Sequence, residues 1–141
     1  MPLVTLRAKI KEKIDTHKGT SKSLVEVYEA HETDLIGYPC VTFDISDTDE
    51  DFASTAENDE KIVFDIYVHV NVERRPWGMT NATRMIDSIL DELLADFRAD
   101  YNLGGTVDYC KPSATSRGEY QEAIGFVKFG KMKLECHKLI T

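Results

Sequence analysis

The chain has 141 residues, 42% of them hydrophobic and 30% charged, which suits one globular domain with its own core. A formal charge of −8 argues against a protein built to grip nucleic-acid phosphates, since that takes clustered Lys and Arg. It leaves room for an acidic wall that DNA passes without sticking.

Apolar runs are far shorter than the roughly 20 residues that cross a bilayer, so no membrane partner is expected. The opening MPLVTLRAKIKEKI carries charge throughout and does not read as a signal peptide. Leu3, Leu6, Ile10 and Ile14 recur at helical spacing, which predicts an amphipathic helix over residues 2–17 with Pro2 in its first turn. Gly19 marks its stop. The basic face of this helix is either solvated or set against an acidic partner surface. SLVEVYEA (23–30) alternates as a short strand. Gly37 and Pro39 punctuate the connection to a second strand over 39–45, which carries Val41, Phe43 and Ile45 on one face.

Residues 46–60 then bring Asp47, Asp49, Glu50, Asp51, Glu57, Asp59 and Glu60 without one basic residue. Such a stretch buries little apolar surface and is predicted to be a mobile acidic loop, with Phe52 as its single large apolar anchor. The best-patterned stretch follows. Ile62, Phe64, Ile66, Val68, Val70 and Val72 alternate with Asp65, Tyr67, His69, Asn71 and Glu73, a half-buried strand over 61–73. RRPWG turns the chain, and Trp77 there either folds back on the core or projects into a partner. Met85, Ile86, Ile89, Leu90, Leu93, Leu94 and Phe97 then give the stripe of an amphipathic helix, capped at Thr80 or Asn81 and ending near Tyr101. NLGG supplies its C-terminal glycines. A strand over 106–110, a polar loop over 111–119 and alternation from Tyr120 to His137 complete the chain, with Gly125 and Gly130 marking a bend, a bulge or a hairpin. The expected fold is one α+β domain spanning 1–141. Its sheet is mainly antiparallel, with an N-terminal helix and one long central amphipathic helix packed on it.

No catalytic constellation stands out. Asp47, Asp49 and Asp51 start like a calcium loop, but Phe52 and Asn58 occupy the places that need Gly and Glu. His17, His31, His69 and His137 lack a second ligand at zinc spacing. Around His69, strand neighbours are spread about 7 Å per step, which suits a polar sheet face better than a hydrolytic site. No phosphate loop, GxSxG or HExxH occurs. No catalytic, cofactor-binding or metal residues are therefore assigned. The contact candidates are Asp47, Asp49, Glu50, Asp51 and Phe52 before the long strand and Arg74, Arg75 and Trp77 after it. Trp and Arg are enriched at interface hot spots. Cys40, Cys110 and Cys136 read as free buried thiols of a reducing compartment.

Several stretches together carry a resemblance: the N-terminal helix, YPCVTFDI, KIVFDIYVHVNVE running into a connector, ATRMIDSILDELLADF, the Leu-Gly-Gly-Thr-Val turn and the closing alternating strand. In element order and pattern, over nearly its whole length, the chain resembles the tail terminator proteins of long-tailed bacteriophages. The likeness rests on no invariant motif. It implies a structural, non-enzymatic virion protein at the head–tail junction, assembled in the host cytoplasm as a homo-oligomeric ring, typically a hexamer. Such a ring caps the tail tube, stops its polymerisation and docks the head-completion or connector protein, while DNA passes through without specific binding. Other readings are a head-closure subunit, a small metal-dependent hydrolase using carboxylates of 44–60, and a regulatory module that docks a basic partner through that loop.

Overall fold

A computed structural model of the chain describes residues 3–17, 26–29, 39–52, 58–72, 78–122 and 125–140. In chain order the elements are α1 (Leu3–Asp15), β1 (Glu26–Tyr28), β2 (Cys40–Phe52), β3 (Asn58–Asn71), α2 (Gly78–Ala99), a 3₁₀ turn (Leu103–Gly105), β4 (Tyr109–Glu122) and β5 (Gly125–Ile140). The protein is mixed α/β, with an N-terminal helix, a central helix and one five-stranded sheet ordered β1-β2-β3-β5-β4. Among the described residues the β1–β2 contact is parallel and the other three are antiparallel.

The two-residue period of β3 places Ile62, Phe64, Ile66, Val68 and Val70 in the core. Met132, Leu134 and Cys136 of β5 join them, as do Val41 and Phe43 of β2. The helices fill the same core. Leu6, Ile10 and Ile14 of α1 are fully buried, and α2 contributes Ala82, Ile86, Ile89, Leu90, Leu93, Leu94 and Phe97. Two residues of the expected stripes stay outside: Leu3 is 43% and Met85 38% exposed. Gly130 marks no bend. A Cβ there would meet Ile86 Cγ2 at 2.5 Å and Leu90 Cδ1 at 2.7 Å, so the glycine makes room for α2 against β5.

Two segments expected as loops are strands. β2 runs on from Ile45 to Phe52, and its ladder with β3 continues to Phe52↔Asn58. A bulge at Ser46 offsets the register, and the Ser46 hydroxyl donates to the Val63 carbonyl at 3.3 Å. Acidic composition lowered the expectation of a strand over 46–52, but β3 supplies the backbone partner that composition cannot show. Likewise 111–119 lies inside β4. That strand tolerates Pro112 because it lies at the sheet edge, where a missing N–H need not break a ladder. Gly118 is covered by the ring of its cross-strand partner Phe129. The alternation after Tyr120 resolves as a hairpin, with β4 and β5 paired from Tyr109↔His137 to Glu122↔Gly125.

The basic residues of α1 are used within the chain. Arg7 pairs with Asp44 at 2.7 Å and donates to the Glu29 carbonyl at 3.0 Å. Lys13 reaches Asp100, just past α2, at 3.0 Å. His17 lies against Glu92 at 3.2 Å and Asp96 at 2.5 Å. After α2, three consecutive residues take positive φ: Leu103 (49°), Gly104 (66°) and Gly105 (90°). For the glycines this is free of steric cost, whereas Leu103 is held there with its side chain buried in the core. Asp100 accepts the Gly104 N–H at 3.1 Å, tying the turn to the end of the helix.

The Lys13 hydrogen bond, followed by that of the Gly104 amide, holds the Asp100 carboxyl below its ordinary value of 3.8. A carboxyl so depressed stabilises the fold above its unfolded pKa and loses that contribution as pH falls through the lowered one. The pair is one-quarter to one-third exposed, so its worth is at most about 1 kcal/mol. Asp100→Asn is expected to lower Tm by about 1–3 °C at neutral pH. The deficit should vanish in acid, where the parent residue is protonated too. Thermal melts across that range check this, and a deficit of equal size in acid would contradict it.

Candidate functional site

The contact residues anticipated before the long strand all lie on β2, where they form one side of a hairpin with β3. Asp49 is opposite Lys61, Glu50 opposite Glu60 and Asp51 opposite Asp59, with Phe52↔Asn58 closing the ladder. β1 pairs only with Cys40–Thr42; beyond Thr42 the outer edge of β2 has no strand partner among the described residues. Arg74, Arg75 and Trp77 lie outside the described residues.

Strand order turns composition into an electrical asymmetry. β2 carries five carboxylates and no basic residue, and β3 three carboxylates and one lysine, a net −7 for that hairpin. β4 and β5 together carry six Lys and Arg against three Glu, a net +3. One side of the sheet is therefore acidic and the other basic. β4 is the outermost strand on the basic side; on the acidic side β1 covers β2 only at Cys40–Thr42 among the described residues. Register sets Lys111 of β4 on the same rung as Asp47 of β2, through Glu135 and Val63.

The face of the sheet away from the core holds a cluster that the sequence reading reached only in part. His69 shares a hydrogen bond with Thr42 Oγ1 through Nε2 and one with Tyr120 Oη through Nδ1, both at 2.9 Å. A neutral imidazole donates from one nitrogen and accepts at the other, and each hydroxyl can take the complementary role. Tyr67 stacks on His69, while Phe129 lies edge-on to Tyr67 at 5.5 Å and packs beside Tyr120 at 6.2 Å. Lys131 sits over the Tyr67 ring at 5.5 Å and pairs with Asp65 at 3.4 Å. Burial alone would lower the Lys131 pKa; the Asp65 carboxylate and Tyr67 outweigh it and hold the ammonium above its usual range. The other Asp65 oxygen, Oδ1, is buried without a hydrogen-bond partner among the described residues. His69 was legible as part of a polar face. Tyr120 was not, because it lies 51 positions away and meets His69 only through the pairing of β4 and β5, which local pattern does not show.

This cluster has the geometry of a tied surface network. Its hydroxyls, imidazole and ion pair hold one another, with Thr42 Oγ1 and Tyr120 Oη on the two His69 nitrogens. Among the described residues no group of three or more His, Cys, Asp or Glu is placed to hold a metal ion. A cleft of about 130 Å³ between α1 and the turn after α2 is lined by Lys9, Glu12, Lys13, Asp100 and Gly104. Its charges are already engaged, Lys13 with Asp100 and Lys9 with Glu12. The most distinctive surface is the acidic edge opposite a basic one.

Removing the Tyr120 hydroxyl takes away the hydrogen bond at His69 Nδ1. Tyr120→Phe is expected to cost about 0.5–1.5 kcal/mol in urea unfolding. A change within error would show that the hydroxyl hydrogen bond contributes nothing to the fold.

Comparison with protein-family models and with curated proteins returns no match to this chain.

Proposed function

We propose that this chain is a structural virion protein, a phage tail terminator that assembles as a homohexameric ring on the end of the tail tube. There it stops tube polymerisation and provides the surface that joins tail to head. In this reading β3 and the amphipathic α2, packed on the sheet, are the rigid frame, and the sheet edges make the contacts. The role calls for no cofactor, and the genome passes the ring without specific binding.

The observation that supports this reading is the charge asymmetry of the sheet, −7 on β2 and β3 against +3 on β4 and β5, with β4 outermost on one side and β2 beyond Thr42 without a strand partner on the other among the described residues. A surface that complements a different surface of the same chain favours heterologous, head-to-tail contact, which closes into a ring when the rotation per subunit permits. Strand direction alternates from β2 across to β4. A neighbouring copy placed in the same orientation therefore brings its β2 antiparallel to β4, continuing the pattern of the sheet. Electrostatic attraction also explains how like subunits add in one polarity, because acidic edges repel one another.

Two measurements test the proposal. Native mass should show six copies of the 16.0 kDa chain at low ionic strength and smaller species at high salt, because exposed charge contacts are screened. Added to its cognate tail-tube subunits during polymerisation, the protein should shorten the tubes and leave density at one end. A strict monomer at every concentration and salt, or tubes of unchanged length with bare ends, would contradict the role.

A further inference from the structure

Cys110 of β4 and Cys136 of β5 are direct cross-strand partners, and both are free and buried. The backbone sets the kind of pair they make. Cys110 donates its N–H to the Tyr101 carbonyl, outside the β4–β5 ladder. In a strand the N–H and C=O of one residue point to the same side, so Cys110 turns its backbone polar groups away from β5. The pair is thus of the non-hydrogen-bonded kind, in which Cα atoms lie about 4.5 Å apart and side chains approach most closely. That separation falls within the roughly 4.4–6.8 Å that a disulfide spans without backbone movement.

Both side chains belong to the same core cluster, Cys136 at 0% and Cys110 at 7% exposure. The Cys110 thiol rests against the Phe97 carbonyl at 3.6 Å. Burial pushes its pKa up to about 11, with the Asp100 charge adding to it, and raises Cys136 as well. Both sulfurs therefore stay as thiols at neutral pH and react slowly. Because β4 is an edge strand, local opening reaches Cys110 first. Cys40 is on β2, in register with His69, and has no cysteine opposite it.

We propose that Cys110 and Cys136 form a thiol pair that closes to a cross-strand disulfide when the protein meets a small-molecule disulfide oxidant, fastening edge strand β4 to β5. The Cys110 thiolate attacks one sulfur of the oxidant and expels the other half as a thiolate, leaving a mixed disulfide. The Cys136 thiolate then attacks the Cys110 sulfur and expels the second half. Two S–H bonds are lost and one S–S bond is gained. The oxidant is reduced to two thiols, which take up the two protons. In a reducing compartment the pair stays open; outside one, the bond would add a covalent tie between the edge strand and its neighbour.

The test uses the folded full chain incubated with oxidised glutathione at mildly alkaline pH. Thiols titrated after unfolding should fall from three to one, and peptide mapping should find residues 110 and 136 joined. Tm should rise by roughly 5–10 °C and return with reductant. Cys40→Ala should oxidise as the parent does, and Cys136→Ala should stop at a mixed disulfide on Cys110. Three thiols retained in the folded chain, when the same oxidant removes two from the urea-unfolded chain, would overturn the proposal. A bond that uses Cys40, or one between chains, would overturn it too.

Discussion

The ladder between β3 and β5, continuous from Asn58↔Ile140 to Asn71↔Val127, is the constraint on which the molecule depends. It joins two hairpins that the sequence separates by α2 and the turn after it, and gives the apolar residues of both a common face. The same seam sets an acidic hairpin beside a basic one. Asp65 of β3 accordingly finds Lys131 of β5, and Glu60 lies opposite Lys138.

Gly130 lies on this seam, opposite Val68, and its lack of a side chain lets Ile86 and Leu90 come down onto β5. Helix and sheet share one apolar core there. The opposite face keeps its polar and aromatic residues tied to one another through His69, Tyr120, Tyr67 and Lys131. The division follows from the period of the strands: one face folds the chain, and the other carries the polar and aromatic residues.

Where local pattern decides structure, the sequence could be read. Alternation from Ile62 to Val70 and the stripe from Ile86 to Phe97 are local, and both became the elements they predict. The residues 46–52 and 111–119 misled for one shared reason. Acidic residues in the first, and Pro112 with small polar residues in the second, are poor in strand propensity, yet both segments are held by a long, well-patterned neighbour. Acidic clustering in 44–60 was visible in the chain. The basic side was not, because Lys111, Arg117, Lys128, Lys131, Lys133 and Lys138 are scattered in sequence and become one side only through the β4–β5 pairing. The Cys110–Cys136 register was hidden in the same way.

The central claim is that the acidic side of one copy meets the basic side of the next. Two charge-reversed variants test it most directly: one with Asp47, Asp49, Glu50 and Asp51 all changed to Lys, which takes the β2–β3 side from −7 to +1, and Lys111→Glu with Lys133→Glu, which takes the β4–β5 side from +3 to −1. Native mass of each alone and of the equimolar mixture is the measurement. The account predicts that neither variant assembles alone, since both its sides then tend to the same sign, and that the mixture forms alternating rings of the parent size. Parent-like rings from either variant by itself, or a mixture that stays monomeric while the parent forms rings, would contradict it.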